Sequence, residues 1–388
     1  MKPNLILGCG SIAFFLLVSS SSLQADVLDN WTTNQVSTNY FGLDCVVYGS
    51  NRYVAYGEYS DYGVILTSED GKDWILRSNG GGLSGSGLSF SISLVYTGGR
   101  FFALGGFGAS AVSADGINWT VFSHGWVLSG AAFGAGEYVA VGSGSGILTS
   151  ANGVAWTASA NFNCSDIAYG AGSFVAIGNN NGITYTSPDG FTWDQQSIPG
   201  GSHVSFFNGK FIVPFGNGTN LISTYGDDWT PQKTGLTNAL GKVTYANGLF
   251  LATAGGHLAT STDGINWVQY PQALPGNSLR GQYVATDGAR LVTVGGVYTN
   301  SGFPNYYSGY TYYSDVFAAV RMTNSSPVQV ALSGLVGRSY QIQSADVLMA
   351  ETNNWKTNTT LQLPSNPYVW TDLTATNSQR FYRTVLLP

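Results

Sequence analysis

One heptapeptide pattern recurs six times, and it constrains the fold more than any other feature of the chain. S-x-D-G-x-x-W occurs as SEDGKDW ending at Trp74, SADGINW at Trp119, SANGVAW at Trp156, SPDGFTW at Trp193, STYGDDW at Trp229 and STDGINW at Trp267. Successive tryptophans are 45, 37, 37, 36 and 38 residues apart. A unit of about 40 residues made of short strands cannot cover its own faces, so copies must pack on one another. That is the signature of a radially repeated β protein.

Every repeat has the same grammar of four short strands, here a to d, joined by turns rich in Gly and Asn. Repeat four reads CSDIAYG, SFVAIG, GITYTS, the turn PDG and FTWDQQS. Strand b recurs at 53–56, 101–104, 138–141, 174–177, 211–213, 250–252 and 291–294 as a nearly continuous apolar run. Such runs are expected where neighbouring layers cover both faces of a strand. Seven b strands against six signatures leave the seventh repeat, which stops at YTYYSDVF, without an outer strand. Trp31 opens WTTNQVSTN, which resembles WTVFSHG after Trp119. The N-terminal segment is therefore predicted to complete the last blade and remove the exposed edge of an open sheet. The expected fold is all-β: a seven-bladed propeller over 26–321, then a small β-sandwich over 322–388.

The signature residues suit a turn. Asp-Gly is a two-residue hairpin signal because Gly accepts positive φ cheaply. Ser and Asp oxygens can accept from the turn's own N–H groups. Asn152 keeps the acceptor in copy three, whereas Tyr225 loses it in copy five, so that turn should be the least well tied. The tryptophan is expected on strand d, packing toward the next blade. On these residues the repeat resembles the Asp-box (BNR) repeat of β-propellers of the sialidase-like superfamily, including photosystem-assembly-factor-type and xyloglucanase-type propellers. The copy here is shortened by one residue between Asp and Gly. The resemblance implies a structural role, away from the ligand face, for Asp70, Trp74, Asp115, Trp119, Asn152, Trp156, Asp189, Trp193, Trp229, Asp263 and Trp267.

Residues 1–25 read as a signal peptide: Lys2, an apolar stretch from Leu5 to Val18, then small and polar residues up to Ala25. The expected destination is the periplasm, the cell surface or the medium. The apolar stretch is short for a membrane span and no other segment could cross a bilayer. With 9 % charged residues, a net charge of -6 and a pI near 4.9, the chain lacks the basic surface that nucleic acid requires. Cys45 and Cys164 fall in repeats one and four, too far apart in a ring for a bridge, and are expected as buried thiols. Beyond residue 321, about five alternating strands suit an immunoglobulin-like sandwich. The run GRSYQIQSAD, a Trp and RFYR resemble small C-terminal β modules of exported bacterial proteins.

Tests for chemistry return little. Sialidase chemistry needs three converging arginines, but Arg52, Arg100 and Arg290 occupy equivalent a–b turns around a rim. Glycoside hydrolysis needs two carboxylates ~5–10 Å apart. Asp44 and Asp166 begin innermost strands, and Glu58 and Asp61 lie in the b–c loop of blade one. The only catalytic candidates are thus Asp44, Glu58 and Asp61. His124, His203 and His257 lie in different repeats without metal-ligand spacing, and no cofactor or metal is expected. The one local break in the pattern is aromatic. Blade seven has a long b–c insertion with Tyr298, Phe303, Tyr306, Tyr307 and Tyr310, and blade one carries Tyr59 and Tyr62 in its own b–c loop. Tyrosines beside Asn and Ser suit stacking on sugar rings with hydrogen bonds at the edges. The expectation is a secreted, monomeric, non-enzymatic propeller that binds a glycan or protein partner there. The alternatives are a carbohydrate-active hydrolase and an assembly scaffold anchored by its C-terminal module.

Overall fold

The computed structural model describes residues 31–36, 42–59, 62–79, 93–105, 108–125, 127–144, 146–179, 182–198, 200–216, 218–246, 249–274, 283–288, 290–299 and 306–315 of the propeller. Beyond it, residues 319–323, 328–333, 339–345, 355–362, 364, 368–374 and 381–386 are described. The expected signal peptide lies outside the described residues. Among the described residues all regular structure is β, and no helix is long and apolar enough to cross a membrane.

The chain forms two compact units, and the propeller unit runs from Leu28 to Asp315. It contains seven four-stranded antiparallel sheets. Six are built from consecutive strands, and the seventh takes its outer strand from the N-terminus. Thr32–Gln35 pairs with Tyr306–Asp315, Thr32 opposite Tyr313 and Gln35 opposite Tyr310. The closing strand read from Trp31 is therefore present. Blade one also locks onto blade seven: Tyr53 Oη donates to Arg290 O at 3.1 Å and Asn34 Nδ2 donates to Lys72 O at 2.7 Å.

The signature turn differs from a two-residue hairpin. Strand c of blade one ends at Ser68 and strand d starts at Ile75, with Thr67 paired to Ile75. A six-residue loop lies between them, tied by its own side chains. In all six copies the Ser Oγ accepts from the Gly N–H at 2.7–2.9 Å. In five copies the Asp or Asn Oδ1 accepts from the next two free N–H groups at 2.8–2.9 Å. Tyr225 stands in that place in the fifth copy, 64 % exposed. The glycine is required twice over. Gly116 has φ +74°, and a Cβ there would meet Val54 Cγ2 of blade one at 2.5 Å.

The tryptophans pack on the preceding blade rather than the next. Each indole N–H donates to the carbonyl of its own turn glycine at 3.0–3.2 Å. That bond holds the ring on the glycine's side of the blade, and the glycine lies over strand b of the blade before it. Trp156 of blade three thus meets Phe102 of blade two, ring centroids 6.0 Å apart. In the same way Trp229 joins Val175 and Ile177 of blade four. The interblade core is built from these contacts and from the buried b strands, where Tyr53, Val54, Ala55 and Tyr56 are wholly inaccessible. Cys45 and Cys164 are buried and are not joined in a disulfide, as expected.

The second unit includes Val316–Pro388. Two three-stranded sheets face one core of Val330, Leu332, Tyr340 and Ile342, with Trp370 and Tyr382 at its margin. The sixth strand, relative to the five anticipated, is Ala319–Thr323, which pairs with Val328–Ser333 of this sandwich.

Candidate functional site

Strands alternate in direction, so b–c and d–a connections emerge on one face of the disc and a–b and signature turns on the other. On the b–c face, blades seven and one stand apart. Strands b and c are Arg290–Thr299 and Tyr306–Asp315 in blade seven, and Arg52–Tyr59 and Tyr62–Ser68 in blade one. Blade two turns after Leu104, whereas blade seven continues its ladder five residues past the equivalent Val294, to Thr299 opposite Tyr306. At about 3.3 Å per residue this adds roughly 16 Å of hairpin. The expected insertion is thus a continuation of two regular strands. Its backbone pairs Tyr298 with Tyr307, and blade one pairs Tyr59 with Tyr62. Tyr310 lies inside strand c rather than in a loop, opposite Gly295, with its ring stacked on Tyr312 at 6.1 Å. Phe303 and Asp61 lie outside the described residues. Glu58 pairs in the backbone with Gly42 and Gly63. Asp44 is the bulged residue between Leu43 and Cys45 and is half-buried. Ser165 takes the equivalent bulge in blade four, where its Oγ donates to Ser202 O of the next blade at 2.9 Å.

The second concavity is the central channel, lined by the innermost strand of every blade and enclosing a cavity of about 380 Å³. Two levels of the ladder define it. Near the a–b turns, Tyr48, Tyr96, Phe133, Tyr169, Phe206 and Tyr245 form a collar, each directly opposite the first aromatic of its own strand b. The six pairs have ring centroids 4.5–4.7 Å apart. Blade seven breaks the collar with Thr286 opposite Leu291. Glycine in the preceding blade makes room for a ring where it sits closest, as Gly49 does under Tyr96.

Three residues back along each strand, the same level holds Cys45, Ser93, Gly130, Asp166, His203, Lys242 and Tyr283. Here the repeats diverge in chemistry. Asp166 is 2 % exposed. Its carboxylate accepts from Lys242 Nζ at 3.0 Å, Ile167 N at 2.9 Å and Val204 N at 3.2 Å. His203 Nδ1 lies 3.5 Å away. Burial works against the Asp166 charge, but the Lys242 ammonium and His203 outweigh it and hold the carboxyl below the usual range. Burial pushes the Tyr283 phenol up, and the Ser93 side chain of blade two works against that rise. Lys242 thus reaches from blade six to blade four and Tyr283 from blade seven to blade two. These two chords cross the ring at one level.

Periodicity sets Asp166 at the channel but leaves His203 unconnected and does not single out Lys242 or Tyr283. The signal that finds them is the register of unlike residues at one repeat position. A second His pair is structural: Ser110 Oγ lies 2.8 Å from His124 Nε2, as in a nucleophile–base dyad. Ser110 is fully buried, however, and burial lowers the imidazole to about 4. Among the described residues, no three His, Cys, Asp or Glu side chains are grouped to hold a metal ion.

No protein-family model matches this chain, and no curated protein matches it in sequence. Solved structures match in fold. A catalytically inactive variant of virginiamycin B lyase from Staphylococcus aureus, with quinupristin, aligns at TM-score 0.59 and 10 % identity over 74 % of this chain and 99 % of its own. YCF48 bound to a D1 peptide aligns at 0.51 and 14 % over 74 % and 96 %. The WD40 propeller domain of Doa1 aligns at 0.51 and 10 % over 73 % and 96 %. At these identities the likeness establishes one thing, that the chain is a β-propeller.

Proposed function

We propose that the chain is an exported binding propeller of the Asp-box type, without catalytic activity, that engages a glycan through the b–c hairpins of blades seven and one. One observation carries this reading: the two longest b–c hairpins of the ring belong to neighbouring blades, and both place tyrosines in cross-strand pairs. A rigid ring presenting one exceptional loop pair is where recognition is expected. Tyrosine combines an apolar ring with a polar tip, which suits a sugar face and its hydroxyls. A protein partner is the second reading, favoured by the peptide-bound propeller YCF48 among the structural neighbours.

The test is a glycan array probed with the chain and with Tyr306→Ala and Tyr307→Ala. Specific binding that falls about tenfold or more in both variants, at unchanged melting temperature, supports the sugar reading. An array with no signal, or one indifferent to both substitutions, removes it. The hydrolase alternative is decided by a reducing-end assay on polysaccharides: sugar release abolished by Asp61→Asn would overturn the non-enzymatic assignment.

A further inference from the structure

We propose a second ligand site, independent of the hairpin face: the central channel takes a small organic monoanion, its carboxylate on Lys242 Nζ and its carbon body along the channel wall. The cavity of about 380 Å³ falls in the range of small-molecule sites. Among the described residues that line it, Lys242 alone is charged. Its counter-ion is withdrawn into the wall: the Asp166 side chain is 3 % exposed and that of Lys242 29 %. At the same ladder level blades one to three carry Cys45, Ser93 and Gly130, the smallest side chains of the seven, so bulk there is confined to blades four to seven.

The Lys242–Asp166 pair is neutral in sum but not in reach. Lys242 Nζ lies 3.0 Å from both Asp166 oxygens and has no other partner among the described residues. An ammonium carries three N–H donors, so at least one is left for the cavity. A molecule in the cavity meets the ammonium first. Behind it lies the carboxylate, which also accepts from Ile167 N and Val204 N. Coulomb attraction falls with distance, so an anion there gains more from Lys242 than it loses to Asp166, and a cation does the reverse. One ammonium balances one negative charge, whereas a dianion would bring a second without a partner. The Tyr283 hydroxyl lines the same cavity and supplies a further donor. Along the wall half-buried Val47 and Val95 come next, then the rings of Tyr48, Tyr96 and Tyr169. Those rings stand three ladder positions from Lys242, roughly 10 Å at the usual strand rise, which is the reach of an arylacetate hydrogen-bonded to the ammonium.

Calorimetric titration of the full chain with phenylacetate, phenethylamine and acetate reads this out. Phenylacetate should bind saturably at one site. Phenethylamine, for its charge, and acetate, for want of a body, should each bind about tenfold or more weaker. Asp166→Asn removes the opposing charge and keeps the shape, so it should tighten phenylacetate about threefold or more. The double variant Asp166→Leu with Lys242→Met should weaken it about tenfold or more; each variant is checked by its melting temperature. Non-saturable phenylacetate heats would overturn the site. So would an affinity unchanged in both variants, which would put the anion elsewhere. Phenethylamine binding as tightly as phenylacetate would overturn the charge selection, and acetate doing so would overturn the carbon body. Glycan-array signal in the double variant should match the parent, so this site and the hairpin reading fail separately.

Discussion

At the scale of the residue, the signature turn offers an internal series, because one motif occurs with Asp, Asn and Tyr at the same place. Asp115 Oδ1 ties Ile117 N and Asn118 N, and Asn152 Oδ1 does the same for Val154 and Ala155. Asp115→Ala should cost about 1–2 kcal/mol, the scale of a lost helix cap, and Asp115→Asn much less. Tyr225→Asp should add less than about 1 kcal/mol, because it would tie Asp227 N while Asp228 N is already held by Asp227 Oδ1 at 2.9 Å. Denaturant melts of the three variants check the order, and a neutral Asp115→Ala would remove the turn's claim to stability. The carboxylates also carry a pH sign. At Asp115 partial burial opposes ionisation, yet the N–H groups of Asn118 and Ile117 and the Asn118 and Ser113 side chains hold the carboxyl well below 3.8. At Asp189 the Thr192 and Phe191 N–H groups act alike. A folded value below the unfolded one stabilises fully at neutral pH, and that part is lost as pH falls below about 4.

The strand and the blade show what was legible in the sequence and what was not. The ring count was legible, since seven apolar b runs against six signatures left one blade short of a strand and Trp31 supplied the match. The direction of the tryptophans was not, because periodicity locates a side chain along the chain but not which neighbouring sheet it faces. The aromatic collar was present as Tyr48 with Tyr53 and Tyr96 with Phe101, yet it becomes visible only when both are known to flank one a–b turn. The prediction that belongs here concerns the closing strand. Deleting residues 26–36 leaves Tyr306–Asp315 as an unpaired edge. It also removes the Asn34 bond to Lys72 O of blade one. Exposed edges template association, so the truncated chain should melt several degrees lower and elute as higher oligomers in light-scattering chromatography. A truncated chain that stays monomeric and melts unchanged would deny the closure any energetic role.

The propeller unit is a ring, and a ring can be tied around its rim or across its middle. The signatures do the first and are nearly identical, which is why they stood out as a repeat. The second falls to residues that are unlike at one ladder level, so averaging over repeats hides them. Asp166 and Lys242 join blades four and six across the channel, and this pair sits in a chain that is only 9 % charged. Lys242→Met strands the Asp166 carboxylate among buried neighbours with His203 as its remaining nearby base, a change that costs about 3–5 kcal/mol when a buried pair is broken from one side. For a unit of this size that is a fall in melting temperature of about 5–8 °C. Adding Asp166→Leu to Lys242→Met should recover most of it, because the desolvation cost disappears with the charge. The parent should also lose more stability than the double variant as pH drops below the usual carboxylate range. Its Asp166 is held below that range, so its charge contributes at neutral pH and vanishes on protonation. Calorimetric melts of parent, single and double variants at neutral and acid pH decide the matter. A single variant as stable as the parent would mean that the ring is held by its rim alone.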